Sequence, residues 1–210
     1  MAVKVKICGI TNAEDAAVAV EAGADAVGFV FHKKSPRCAE AAIVKGIVKM
    51  LPPFVLPIGV FVNEEANVVR DLMDRCGLAL AQLHGDESAA YCGALGRPML
   101  KAIRLKDRRS FLALAEFQGR AGVRGFLVDA FSSDAYGGTG QVADWALAAE
   151  AASAATILLA GGLTPENVSQ AIQLVHPYGV DVSSGVEASP GKKDHEKVRA
   201  FVRAAKLVSR

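Results

Sequence analysis

The sequence lacks an excess of either charge. Its 24 basic and 22 acidic residues leave a net charge of +2, which gives nucleic-acid or anionic-membrane binding no compositional support. Long apolar runs are missing too. The stretch Val55 to Val62 is interrupted by proline and glycine and is too short to span a bilayer, so a soluble protein with no membrane partner is expected. No signal peptide is legible. The four cysteines, Cys8, Cys38, Cys76 and Cys92, form neither a C-x-x-C pair nor a Cys/His zinc pattern. Their spacing offers no metal site; an even number could mean two disulfides, but the length of the chain and the lack of a signal peptide favour reduced thiols in a cytoplasmic protein. Aromatic residues are scarce at 6%, but 51% of the chain is hydrophobic, enough to bury one substantial core.

What is present is an alternation. Apolar, often β-branched runs predict strands at Val3–Cys8, Ala26–Phe31, Pro57–Val62, Leu78–His84, Met99–Arg104, Gly125–Phe131, Thr156–Ala160 and Val180–Ser183. Between them lie alanine-rich amphipathic stretches, Thr11–Ala22, Ala39–Leu51, a helix N-capped by Asn63, one from Ser88, Asp107–Gln118 and Val142–Ala152. A further helix is expected with Thr164 as cap and Pro165 at its first position, and a last one from Asp194 to about Leu207. Short apolar strands separated by helices should be parallel and covered on both faces. Each βα unit takes about 26 residues, close to the minimum for a (β/α)8 barrel. The expectation is an α/β fold, a single-domain TIM barrel of the phosphate-binding type over residues 1–210. An open doubly wound sheet is the competing topology, and the count of eight units argues against it.

In such a barrel the chemistry sits at the C-terminal strand ends. Polar residues gather there: Cys8, His32 to Arg37, Asn63, His84 with Asp86, Arg104, Asp129 and Ser183-Ser184. Side-chain alternation sharpens this. Val3, Val5 and Ile7 should face helices and leave Lys6 and Cys8 inside; Val180 and Val182 should do the same, leaving Asp181 and Ser183 inside. Strands one and eight are neighbours in a closed ring, and a buried lysine needs a partner. An interior Lys6–Asp181 ion pair beneath Cys8 is therefore expected.

Two glycine-bearing loops, at Gly161-Gly162 and Ser183-Ser184-Gly185, follow strands seven and eight. That is the recurrent phosphate site of these barrels, although a Gly-Gly pair can also be a simple tight turn. Cys8 reads either as a small buried hydrophobe or as a base; the second role needs a thiolate and hence a positive neighbour such as Lys6. Asp129 ends an apolar strand as an ion-pair partner or as a carboxyl kept protonated. Cys8 and Asp129 could flank a sugar phosphate as base and acid. Arg37 is a solvated charge or a fork for a substrate carboxylate. His84 is a substrate contact or a hydrogen-bonded barrel histidine.

Motifs quoted in order carry a resemblance that spans nearly the whole chain: Lys6-Ile-Cys-Gly-Ile-Thr11, Gly28-Phe-Val-Phe31 with Ser35-Pro-Arg37, and Gly59-Val-Phe-Val-Asn63. They continue through Gln82-Leu-His-Gly-Asp86, Val128-Asp129 with Gly137-Gly-Thr-Gly140, and Leu159-Ala-Gly-Gly-Leu163. Gly179-Val-Asp-Val-Ser-Ser-Gly-Val-Glu187 and Ser189-Pro-Gly-Lys-Lys-Asp194 complete the set. On these the chain resembles the phosphoribosylanthranilate isomerases of tryptophan biosynthesis. The resemblance implies a cofactor-free Amadori rearrangement of a sugar-phosphate substrate. It assigns Asp129 as general acid, Cys8 as general base, Arg37 to the anthranilate carboxylate, and the loops at Gly161-Gly162 and Ser183-Ser184-Gly185 to the phosphate. The rivals are the histidine-pathway sugar isomerase, which should carry aspartate in place of Cys8, and a non-catalytic ligand-binding barrel. A monomer is the expected state, because no large exposed apolar patch can be inferred.

Overall fold

A computed structural model describes residues 2–105, 107–129 and 145–208. Eight parallel strands close into a barrel in sequence order: β1 (Lys4–Cys8), β2 (Ala26–Val30), β3 (Leu56–Phe61), β4 (Leu80–Leu83), β5 (Met99–Arg104), β6 (Val123–Asp129), β7 (Ile157–Ala160) and β8 (Gly179–Val182). Helices follow each strand: α1 (Ala13–Glu21), α2 (Ala41–Val48), α3 (Ala66–Cys76), α4 (Ala89–Leu95), α5 (Ser110–Phe117), α6 (Trp145–Ala154), α7 (Val168–Val175) and α8 (His195–Lys206). The ring closes where β1 pairs with β8, with Lys6 opposite Asp181. The open-sheet alternative is excluded.

Local chemistry explains where the elements begin. The Asn12 side chain accepts the Asp15 N–H at 2.8 Å to start α1, and Asp194 accepts the N–H groups of Glu196 and Lys197 to start α8. Along α8, Val198, Phe201, Val202 and Ala205 form the buried stripe, and Arg203 and Lys206 sit in the last turn, where the helix dipole favours cations. The main core lies between sheet and helices and includes Val3, Val5, Ile7, Val180 and Val182. A smaller cluster of Ala26, Ile58, Leu100 and Leu158 plugs the barrel interior below the ion pair.

Three expectations need correction. Asn63 does not cap α3; it sits at φ 51°, accepts the Asp86 N–H with Oδ1 at 2.6 Å and donates its own N–H to Glu87. It stitches two loops together, and the helix starts later, behind Glu65. Thr164 and Pro165 lie in a turn before α7, because the Asn167 side chain takes the Thr164 N–H at 2.8 Å and the helix begins at Val168. A short antiparallel hairpin, β9 (Glu187–Ser189) and β10 (Lys192–Lys193), occupies what was expected to be plain loop. At the N-terminal end of the barrel, 93%-exposed Phe54 lines a cavity of about 410 Å³ with Leu56, Ile58, Leu80, Leu100 and Leu158. This apolar feature was not legible beforehand.

Candidate active site at the C-terminal mouth

Strand parity delivers Lys6 and Cys8 to the interior, 1% and 7% exposed. The Lys6 Nζ donates to Asp181 Oδ1 at 2.8 Å, so the expected ion pair is present. Burial pushes the Cys8 thiol above its ordinary pKa; Lys6 opposes this most strongly, Asp181 adds to it, and Lys193 also opposes it. Burial likewise works against the Lys6 charge, but Asp181 and Cys8 outweigh it and hold the ammonium above its usual value. Gly28 on β2 makes room for the group: a Cβ there would lie 2.8 Å from Cys8 Sγ and 2.9 Å from Lys6 Nζ. The pair therefore serves two ends, satisfying a buried charge and placing a cation beside the thiol.

One cavity of about 470 Å³ opens above this group and brings together the residues proposed for catalysis and substrate binding, whereas Asn63, Asp86 and Arg104 line a neighbouring one. Cys8, Arg37, His84 and Asp129 line the first, as do Gly161, Gly162, Ser183, Ser184 and Gly185. Asp129 closes β6, level with Ala160 of β7 and Arg104 of β5. A second cavity, of about 520 Å³, lies over the ends of β3 to β6 and shares Val62, His84 and Asp129 with the first. The expected Gly137-Gly-Thr-Gly140 segment lies outside the described residues.

The two glycine loops are shaped by close approach. Gly161 and Gly162 adopt φ of 94° and 64°, the left-handed region that favours glycine. A Cβ on Gly185 would lie 1.9 Å from the Leu163 carbonyl oxygen, so glycine there lets the two loops touch. Behind Ser183 the chain turns into one 3-10 turn, Ser184–Val186, and free N–H groups at such a helix start attract anions. The Ser183 hydroxyl is buried and has no hydrogen-bond partner among the described residues. A ligand oxygen would satisfy it.

His84 is held by Gln82, with Nε2 of the amide 2.9 Å from Nδ1 of the ring. Burial lowers its pKa, helped by Lys6 and Arg104 and resisted by Asp181 and Asp129. Burial thus favours the neutral ring, in which Nδ1 can accept from the amide.

Sequence reasoning missed the polar hub behind the mouth. Glu187 takes Arg37 Nε at 2.8 Å and Nη2 at 2.6 Å. Buried Lys193 donates to Glu187 and to the Ser183 carbonyl, both at 3.1 Å. Asp15 in turn accepts the Lys193 N–H and pairs with His195. Glu187 and Lys193 both fall in quoted motifs, which was the available signal.

A closed eight-stranded ring with glycine loops after β7 and β8 defines a (β/α)8 barrel of the phosphate-binding type. The particular family follows from comparison. The family model described as N-(5'phosphoribosyl)anthranilate (PRA) isomerase matches residues 5–204, and the chain belongs to that family. A relative from Pelobacter propionicus named N-(5'-phosphoribosyl)anthranilate isomerase is 52% identical over 204 residues, 97% of this chain and 96% of its own. The crystal structure of phosphoribosyl anthranilate isomerase from Thermotoga maritima superposes with a TM-score of 0.90 at 42% identity, covering 98% of this chain and all of that one. Another solved structure is similar at TM-score 0.87 and 41% identity, over 98% of this chain and 100% of its own. It is of phosphoribosyl anthranilate isomerase in complex with reduced 1-(o-carboxyphenylamino)-1-deoxyribulose 5-phosphate. The rival barrel readings fall with the family match.

Proposed function

We propose that the chain converts N-(5-phosphoribosyl)anthranilate to 1-(2-carboxyphenylamino)-1-deoxyribulose 5-phosphate, the Amadori step of L-tryptophan biosynthesis. The observation that carries the reading is a single cavity lined by Cys8, Asp129 and both glycine loops, in a chain of this family. The phosphate sits at Gly161, Gly162, Ser183, Ser184 and Gly185, where a buried hydroxyl wants a partner and the backbone can approach closely. Asp129 in its acid form gives a proton to the furanose oxygen; the ring carbon–oxygen bond breaks and a Schiff base forms. The Cys8 thiolate then removes the C2 proton, and the resulting enolamine tautomerises to the ketone. Only the thiolate can take that proton, so Lys6 is needed to offset the burial of Cys8. Arg37 meets the anthranilate carboxylate, and His84, neutral and held by Gln82, lines the space between the two cavities.

No cofactor enters this scheme, and the ligand is a sugar phosphate rather than nucleic acid or membrane. No helix among the described residues is long and apolar enough to cross a membrane. Free thiols at Cys8, Cys38, Cys76 and Cys92 support a cytoplasmic setting. The proposed site residues among those described line one cavity, and we take residues 1–210 to act as one barrel domain and the protein to work as a monomer. The test is loss of anthranilate fluorescence when purified protein meets phosphoribosylanthranilate. Turnover supports the reading, and its absence in folded protein overturns it.

A further inference from the structure

The polar hub behind the mouth does work that the proton transfers do not explain. A guanidinium carries five N–H groups in a fixed plane. Glu187 occupies the side-on edge of Arg37, through Nε and Nη2, which leaves the end-on edge of Nη1 and Nη2 open on a residue that lines the cavity. The stem of Arg37 is fixed as well. It crosses Gly9, the residue after Cys8, so closely that a Cβ there would lie 2.8 Å from Arg37 Cδ. Glu187 itself is anchored: its side chain is 5% exposed and it accepts from the fully buried Lys193 ammonium. The β9–β10 hairpin that carries it is tied to the first loop by the Thr11 hydroxyl, which donates to the Gly191 carbonyl at 2.6 Å.

We propose that Glu187 is a positioning residue that aims the end-on edge of Arg37 at the substrate's ring carboxylate. This rests on the substrate reading above. It also changes how that carboxylate is gripped, because the side-on edge of the fork is already taken. The sign of the effect separates positioning from plain electrostatics. Removing the Glu187 charge leaves Arg37 and Lys193 uncompensated and makes the mouth more positive. Simple attraction would then bind an anionic ligand more tightly, whereas loss of aim binds it more weakly.

The experiment measures binding of two probes to wild type, Glu187→Gln, Arg37→Ala and the double variant. The probes are reduced 1-(o-carboxyphenylamino)-1-deoxyribulose 5-phosphate and the same molecule without its carboxyl group. Glu187→Gln should weaken the carboxylated probe by about tenfold or more, the scale of one charge-assisted hydrogen bond, and leave the other within about twofold. In the Arg37→Ala background the same change should have no further effect. Glu187→Asp should recover part of the loss, and it carries the same comparison if Glu187→Gln does not fold. Equal weakening of both probes, tighter binding, or an undiminished effect without Arg37 overturns the proposal. Wild-type turnover of phosphoribosylanthranilate is measured alongside; its failure counts against the substrate reading, while the probe comparison judges Glu187.

Discussion

Replacing Lys6 with methionine strands the Asp181 carboxylate in the barrel. The pair is 2.8 Å apart, with side chains 1% and 8% exposed, and removing one partner of such a pair costs about 3–5 kcal/mol. For a chain of this size that corresponds to a fall in Tm on the order of 6–20 °C. Replacing Asp181 with leucine as well removes the orphaned charge, and the double variant should regain most of the lost Tm. Activity should not follow. Of the two charges, Lys6 acts more strongly on Cys8 than Asp181 does, so losing both leaves burial less opposed and the thiol harder to ionise. The acid limb of the kcat/KM profile, which reports the free enzyme, should move to higher pH in the double variant. Differential scanning calorimetry and a pH–rate series measure the two halves separately. A double variant with restored Tm and an unchanged pH profile would refute the claim that Lys6 keeps Cys8 usable as a base.

Three further outcomes follow from the same geometry. Gly28→Ala should lower kcat on the order of 100-fold, the scale of a displacement of ~1 Å at a reacting group, since its Cβ would press on both Cys8 and Lys6; steady-state kinetics beside a thermal melt checks this. Gly185→Ala should weaken competitive inhibition by inorganic phosphate, because its methyl group meets the Leu163 carbonyl and forces the phosphate loops apart. In the third, burial resists ionisation of Glu187 but Arg37 and Lys193 prevail, holding its carboxyl below the usual value; Asp25, against Lys206 and Lys4, behaves likewise. Depressed folded values stabilise the protein above the unfolded carboxylate range near ~4 and lose that contribution as pH falls through the lower folded values. Urea unfolding across this window should be less pH-dependent for Glu187→Gln.

The barrel was legible because its evidence is local and repeated. Alternation of two in β1 and β8 placed Val5 and Val180 outside and Lys6 and Asp181 inside, and the ion pair followed from ring closure alone. The hub was not legible for physical reasons. Strands of three and two residues around Pro190-Gly191 are too short to show a period, and Arg37 and Glu187 meet across 150 positions of sequence. Asn63 misled because an asparagine ahead of a helix looks the same whether it caps that helix or, as here, binds the neighbouring loop. The exposed Phe54 escaped notice because a lone aromatic beside two prolines gives no hint that it borders a cavity.

The most direct test of the acid–base assignment is kcat in Cys8→Ala and Asp129→Asn, with binding of the reduced product analogue measured on the same preparations. Each variant should lose roughly 100- to 10,000-fold in kcat, the range of a positioned proton-transfer group, while the analogue binds nearly as well as to wild type. Nearly full kcat in both variants would contradict the assignment of Cys8 and Asp129 as base and acid.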